Sequence, residues 1–143
     1  MTTPPSPLQP GAKATVTQAV GEPQLAAAFA VDADETYPRV LATPAMVALL
    51  ERACARLLAP LLGPDQLSVG AAVDVTHLAP TALHEVVTAE AIFRSQAGPL
   101  YWFDVTVRDA AGLVGQGRHA RAIVSATMVA VKAEARRHSP ATA

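Results

Sequence analysis

The sequence predicts an α+β fold in which one long helix packs against an antiparallel sheet of about five or six strands. Three observations lead to this prediction: one strongly amphipathic segment near the middle of the chain, apolar residues with a period of two after it, and turn residues spaced through the C-terminal half. The 143 residues, 51% of them hydrophobic, suit a single domain with a modest core.

The two ends of the chain differ from its middle. Residues 1–14 are rich in proline, which is typical of a disordered lead. Residues 15–22 fit either an edge strand or further linker, and residues 24–31, QLAAAFAV, are predicted to form the first strand. We expect the folded domain to span residues 15–131 and the polar residues 132–143 to form a frayed tail.

The clearest element is a helix predicted over residues 44–59. Thr43 is a good N-cap and Pro44 suits the first helical position. Pro60 ends the helical pattern. At 100° per residue, the apolar side chains of this segment fall on one face, which we expect to be buried. These side chains are Met46, Val47, Leu50, Cys54, Leu57 and Leu58.

After the helix, the segment SVGAAVDVTHLAP alternates as a strand does. The alternation puts Val73 and His77 on one face, and Gly70 and Asp74 on the other. Each strand is expected to join the next through a hairpin turn. Because one helix cannot cover such a sheet and its edge strands stay open, we expect a homodimer, with further pairing into a tetramer left open. The later strands are predicted over residues 85–95, 100–109 and 113–128.

Composition excludes several classes of function. The net charge is -1, charged residues make up 16% and aromatic residues 4%, so neither a basic field nor a stacking surface for nucleic acid is present. We expect no membrane association, because the N-terminus lacks a signal-type apolar region and the apolar runs are short. The single cysteine, Cys54, rules out an intramolecular disulfide, and we expect a cytoplasmic protein.

Two polar residues occupy positions where periodicity predicts apolar ones. Glu51 lies at the edge of the buried helix face, and His77 is in phase with the valines of its strand. A buried carboxylate needs a partner, and a histidine beside it is suited to proton transfer near neutral pH. The simpler interpretations are a salt-bridging glutamate and a hydrogen-bonded core histidine. A metal site is not expected, because His77 and His84 lack a third ligand.

Thr43 and Gly70 are further candidates. The simpler interpretation of Thr43 is an N-cap without a further role. The functional interpretation is that the free N–H groups and partial positive charge of the helix N-terminus polarise a carbonyl group there. Gly70 lets a ligand approach the backbone closely, or marks a bulge.

Two segments of the chain resemble the hotdog thioesterases typified by fluoroacetyl-CoA thioesterase. They are VLATPAMVALLERACARLLAPLL and SVGAAVDVTHLAPT. In that family, the active site consists of a threonine at the helix start, a glutamate two turns later and a histidine in a V-T-H segment. The matching positions here are Thr43, Glu51 and His77. A glycine before the histidine matches Gly70, and an H-x-R-A segment matches residues 119–122.

The resemblance implies a hotdog fold, paired into a dimer with the active site near the interface. It implies hydrolysis of a small or medium acyl-CoA without a cofactor, coenzyme A being part of the substrate. Glu51 would be the nucleophile or general base, His77 would position water and carry the proton, and Thr43 would orient the glutamate or bind the thioester oxygen. Gly70 and Arg121 are expected to bind substrate, the arginine through the phosphates of coenzyme A.

Two departures from the family keep alternatives open. Residues 32–40 contain no phenylalanine where the fluoroacetyl-specific type has aromatic residues over the acyl group, and His84 stands where a glycine is usual. These differences motivate a second hypothesis, a non-catalytic protein that binds acyl-CoA or another small ligand. A third hypothesis is a hydratase or dehydratase using Asp74 and His77, although the alternation separates these two side chains.

Overall fold

The computed structural model describes residues 8–141, which form one five-stranded antiparallel sheet with a long helix across one face. The strand order is β1-β3-β4-β5-β2. This arrangement confirms the predicted α+β class. In chain order the elements are β1 (Lys13–Ala19), α1 (Thr43–Leu58), β2 (Gln66–His77), β3 (Val86–Ala97), β4 (Leu100–Asp109), β5 (Gly112–Ser125) and α2 (Ala126–Arg137).

Helix α1 contacts all five strands and supplies one side of the core. Its sequence has a proline in the first turn, where no intrahelical N–H is needed, and a leucine- and alanine-rich run after it. Each leucine buried here contributes about 1.5–3 kcal/mol of transfer free energy. The buried residues of α1 are Met46, Leu49, Leu50, Ala53, Cys54 and Leu58.

The sheet presents alternate residues to α1, as the strand period of two requires. Two alanines in the middle of β3 have short side chains and let the helix lie close to the sheet, while phenylalanines fill the space toward one end. The contributing residues of β3 and β4 are Val87, Ala89, Ala91, Phe93, Phe103, Val105 and Val107.

The predicted first strand over residues 24–31 is wrong. That region contains two 3₁₀ turns, Glu22–Gln24 and Ala26–Phe29. Pro23 cannot donate to a strand ladder, and the alanines that follow favour strands only weakly. The first strand is instead β1, which overlaps the residues that fitted either an edge strand or linker.

The sheet also begins earlier than the predicted domain boundary at residue 15. Strand β1 starts at Lys13, and the Gly11 N–H already donates to the Phe93 carbonyl oxygen at 2.8 Å. The proline-rich lead therefore gives way to the sheet before residue 14. Residues 1–7 of the predicted lead lie outside the described residues.

The expectation of successive hairpins fails at β2. Only β3–β4 and β4–β5 are hairpins, whereas β2 pairs with β5 and forms an edge of the sheet. The connection over residues 78–85 contains Pro80 and is longer than the roughly two to five residues of a hairpin loop. The strand that carries His77 is therefore open along one side.

The C-terminal segment is helical as far as Arg137, so the predicted strand end at residue 128 and the frayed tail over residues 132–137 are wrong. Residues 142–143 of the predicted tail lie outside the described residues. Strand β5 ends at Ser125, whose hydroxyl caps α2 by accepting the Met128 N–H at 3.1 Å. Asp65 adds a second cap, since its Oδ1 accepts the Thr127 N–H at 3.1 Å. These caps outweigh the strand preference of the valines and threonine in this stretch. The predicted domain end at residue 131 falls inside α2.

A β-bulge in β2 overturns the predicted faces of this strand. Gly70 pairs with Arg121 and Ala72 with Ala120, so Ala71 is an extra residue without a partner. The extra residue shifts the alternation, and both Gly70 and His77 consequently face α1. The bulge thus brings to one face two positions that regular alternation would separate.

Among residues 8–141, no helix is long and apolar enough to cross a membrane.

His84 should be a strained position whose replacement by glycine stabilises the fold. Its φ angle is +74°, in the left-handed region that is costly for residues with a Cβ, and its side chain is exposed. We expect His84→Gly to raise the free energy of unfolding by roughly 0.5–1 kcal/mol, measured by urea denaturation. His84→Ala keeps the Cβ and is the matched control; an equal gain from alanine would show that the backbone conformation is not the cause.

Candidate active site

A threonine and a histidine meet where α1 begins and β2 ends. Thr43 is the first residue of α1, and its Oγ1 lies 2.8 Å from Nδ1 of His77, the last residue of β2. The predicted N-cap role of Thr43 is wrong, because the cap is Ala42 and no side chain bonds to the helix N-terminus. The Thr43 hydroxyl instead holds the His77 ring.

The other ring nitrogen of His77 is left unsatisfied in the described chain. His77 Nε2 is buried and has no hydrogen-bond partner within the described part of the chain. Leaving such an atom unsatisfied costs about 1–3 kcal/mol, so buried polar atoms of this kind usually face a ligand, a water or a partner molecule. A cavity of about 410 Å³ adjoins Thr43 and His77, and its walls include Val40, Leu41 and Pro80. The site can therefore hold a small apolar group beside an imidazole.

A second polar cluster forms around Glu51 farther along α1. The Glu51 side chain is 40% exposed, and its Oε1 lies 3.8 Å from both His119 Nε2 and Arg121 Nη1. A Cβ built on Gly70 would overlap Glu51 Oε1. Because Gly70 has no side chain, the carboxylate of Glu51 occupies the space beside its backbone.

Arg121 lies beneath Glu51 and is only 7% exposed. Its Nε donates to Ser68 Oγ at 3.1 Å and its Nη2 to the Ser68 carbonyl oxygen at 2.9 Å. The remaining Nη1 donates to His119 Nε2 at 3.2 Å. A substrate-binding role for Arg121 stays a prediction, and the contacts of its guanidinium are with groups of the protein itself.

The sequence analysis matched His119 to the family's H-x-R-A segment but did not place it among the catalytic or substrate-binding residues. His119 is 1% exposed, and its Nδ1 lies 2.7 Å from the carbonyl oxygen of Ala72. Burial lowers the pKa of His119, against the raising effects of the Ala72 carbonyl and Glu51. Its position in the sequence could have indicated a role in the site, because the alternation of β5 puts His119 on the same face as Arg121.

Cys54 lies in the same region, but its thiol is a poor nucleophile. Burial raises the pKa of its thiol to about 12, so the nucleophilic thiolate is scarce near neutral pH. The carboxylate of Glu51 is therefore the better nucleophile of this cluster.

The structure does not join the predicted trio within one chain. Thr43 and Glu51 are eight residues apart, about 12 Å along the helix axis. Within residues 8–141, no hydrogen bond links Glu51 to Thr43 or His77. Asp74 lies on the opposite face of the sheet, in a groove with Arg94 and Asp104, which separates it from His77.

The arrangement of one helix across an antiparallel sheet is the hotdog fold. The chain superimposes on a hot-dog-like protein from Thermanaerovibrio acidaminovorans with a TM-score of 0.79, at 19% identity, covering 92% of this chain and 94% of that one. At this identity the likeness concerns the fold alone.

Sequence similarity identifies the family within that fold. Residues 20–127 match the model of the fluoroacetyl-CoA-specific thioesterase family, FlK. The fluoroacetyl-CoA thioesterase of Streptantibioticus cattleyicolor is 41% identical over 88 residues, which is 62% of this chain and 63% of that protein, so the match spans less than two thirds of the relative. A solved structure of the fluoroacetyl-CoA thioesterase FlK aligns with a TM-score of 0.85 and 31% identity, over 94% of this chain and 100% of that one. The chain belongs to the fluoroacetyl-CoA-specific thioesterase family.

The low pKa of His119 should make the fold less stable in mild acid. The unfolded histidine takes up a proton near its ordinary pKa of 6.5, whereas the folded one resists protonation. The effect of His119 on the free energy of unfolding is therefore absent above about pH 6.5, and the fold loses stability as the pH falls below this value. We expect the free energy of unfolding to fall more steeply between about pH 7 and pH 5 in the wild type than in His119→Gln, measured by urea denaturation. Equal slopes would mean that folding does not perturb this histidine.

Proposed function

We propose that this protein hydrolyses small or medium acyl-CoA thioesters, using Glu51, His77 and Thr43. The observation that carries the proposal is His77: its ring is held through Nδ1 by Thr43, and its buried Nε2 has no partner in the described chain beside a cavity of about 410 Å³. Membership of a thioesterase family supports the same reaction.

In the proposed reaction, water cleaves the C–S bond and the products are a carboxylic acid and the free thiol of coenzyme A. Glu51 attacks the thioester carbonyl carbon, which expels the thiolate and leaves an anhydride that water then hydrolyses, or it removes the proton from a water that attacks this carbon directly. His77 Nε2 carries the proton to the departing sulfur, while the Thr43 hydroxyl keeps the ring in orientation. The N–H groups in the first turn of α1 face developing negative charge on the carbonyl oxygen. Only water and the thioester are needed, so the proposal includes no cofactor.

The proposed site requires two copies of the chain. The Glu51 cluster and the Thr43–His77 pair lie apart in one protomer, and β2 is an open edge strand with Val73 47% exposed. Exposed edges of this kind tend to pair with another strand. We propose a homodimer in which the β2 strands of the two copies pair in antiparallel fashion; a further pairing into tetramers is open.

The bulge in β2 makes such a dimer chemically productive. Directly opposite residues of an antiparallel pair lie on the same face, with Cα atoms about 4.5–5.5 Å apart. Gly70 and His77 both face α1, and we propose the register in which Gly70 of one protomer lies opposite the partner's His77. Because Glu51 Oε1 lies against Gly70, the carboxylate of one copy then adjoins the imidazole of the other.

We further propose that the acyl group is a short aliphatic one and need not be fluorinated. The walls of the cavity beside His77 are aliphatic, including Val40, Leu41 and Pro80, and residues 32–40 contain no phenylalanine. In this proposal Gly70 serves substrate binding by leaving room at the carboxylate, and Arg121 acts through Glu51. The proposed compartment is the cytoplasm, in keeping with a lone buried thiol at Cys54, and cell fractionation tests it.

Removing the charge of Glu51 should abolish turnover while leaving the fold intact. We expect Glu51→Gln to lower kcat by about 10²- to 10⁴-fold, the range associated with a lost acid–base group. Thiol release is followed with a disulfide reagent across acyl-CoAs from acetyl to aryl, and circular dichroism checks the fold. Glu134→Gln, an exposed carboxylate on α2, is the matched control. Undiminished turnover in Glu51→Gln would refute the assignment, and tight thioester binding without thiol release would favour the ligand-binding hypothesis.

A site shared between two copies should show complementation between inactive variants. Glu51→Gln and His77→Asn are each expected to be inactive as homodimers. After the two variants are mixed, unfolded and refolded together, each mixed dimer contains one site with both native residues, so random pairing should restore roughly a quarter of wild-type activity. If all three residues acted within one protomer, the mixture would stay inactive.

A further inference from the structure

We propose that His119 is a positioning residue, which holds Arg121 in place so that the guanidinium supports the Glu51 charge without bonding to it. This inference rests on the proposed role of Glu51 and adds a residue to that site. It concerns the buried pair His119 and Arg121, neither of which reaches the cavity where the acyl group is proposed to bind.

The hydrogen bonds around His119 define its tautomer. The carbonyl oxygen of Ala72 can only accept, so Nδ1, at 2.7 Å from it, carries the ring hydrogen. In the neutral ring, Nε2 is then an acceptor. Arg121 Nη1, which can only donate, bonds to this nitrogen at 3.2 Å. The neutral form of His119 is the form that fits both neighbours.

This bond turns Arg121 away from Glu51. The Nε and Nη2 groups of Arg121 bond to Ser68, and Nη1 bonds to His119. Glu51 Oε1 is left 3.8 Å from Nη1, beyond hydrogen-bond distance but close enough to feel the positive charge. A direct charge-assisted bond would be about 2.7–2.9 Å long, so a movement of about 1 Å would form it. Such a bond would engage one lone pair of the carboxylate and make the carboxylate a weaker nucleophile and base.

Protonation of His119 would undo this arrangement. An imidazolium has no acceptor for Arg121, and its new Nε2–H would face Glu51 Oε1 at 3.8 Å. The charged groups that act on His119 are Glu51 of α1 and Arg121 of its own strand, and Cys54 of α1 lies near both of these charges. Cys54 stays uncharged, since burial raises its pKa to about 12. Burial lowers the pKa of His119 itself, which keeps the ring neutral near pH 7.

The test compares two substitutions in the full-length protein. In His119→Gln, an amide oxygen can accept from Arg121 but does not titrate; in His119→Leu, no acceptor remains. We expect His119→Leu to lower kcat by about 10- to 100-fold with little change in KM, as a misplacement of about 1 Å near the reacting groups does. His119→Gln should keep most of the activity, and its acid limb of log(kcat/KM) against pH should be shallower than that of the wild type. His138→Gln, at the exposed residue that follows α2, controls for histidine replacement in general.

The inference is overturned if His119→Leu keeps wild-type kcat, if glutamine impairs kcat as much as leucine, or if the acid limb is unchanged in His119→Gln. Should the leucine variant not fold, the pH profile of the glutamine variant still decides. Nitrogen NMR of the four imidazoles gives a readout independent of turnover, with the His119 signal identified by its absence from His119→Gln. A neutral ring with hydrogen on Nδ1 at pH 7 supports the inference, and a charged ring or hydrogen on Nε2 refutes it. Failure of the proposed function itself would appear separately, as full turnover in Glu51→Gln or none in the wild type.

Discussion

The site depends on one constraint: a carboxylate has to sit at the margin of an apolar helix–sheet interface. Glu51 lies beside the buried face of α1, where an uncompensated charge would be costly. The protein meets this requirement with three neighbours on the sheet, the bare backbone of Gly70 and the buried side chains of His119 and Arg121. A side chain at Gly70 would take the space of the carboxylate, and loss of Arg121 would remove its compensating charge.

The approach of α1 to the sheet is set at a second place as well. A Cβ on Gly115 would lie 2.6 Å from the sulfur of Met46 and 3.0 Å from the Thr76 carbonyl oxygen. The absence of a side chain at Gly115 therefore lets the first turn of α1 pack closely on β5, beside its pairing partner His77 at the end of β2. Thr43 belongs to that turn, and its hydrogen bond to His77 follows from the close contact. The packing of α1 on the sheet therefore also determines the distance between Thr43 and His77.

Features encoded locally could be predicted from the sequence, and features set by distant pairing could not. Helix α1 was predicted within one residue at either end, because Pro44 and Pro60 mark its limits, and β4 was predicted over its full length. Glu51 and His77 stood out because they broke apolar periodicity. Gly70 suggested a bulge as one of two interpretations, but the alternating sequence does not show the resulting change of faces. His119 acquires its importance only through contacts with Ala72 and Arg121 across the sheet.

The bulge has a consequence for how this protein can change over evolutionary time. The stretch between Gly70 and His77 is free to vary in composition wherever its side chains face solvent, but its length is not free. Inserting or deleting one residue there would turn either the glycine or the histidine to the far side of the sheet. A shift of two residues would preserve the faces yet move the two positions out of step with Thr43 and Glu51 on the rigid helix. Within this strand, spacing is thus a stricter requirement than identity.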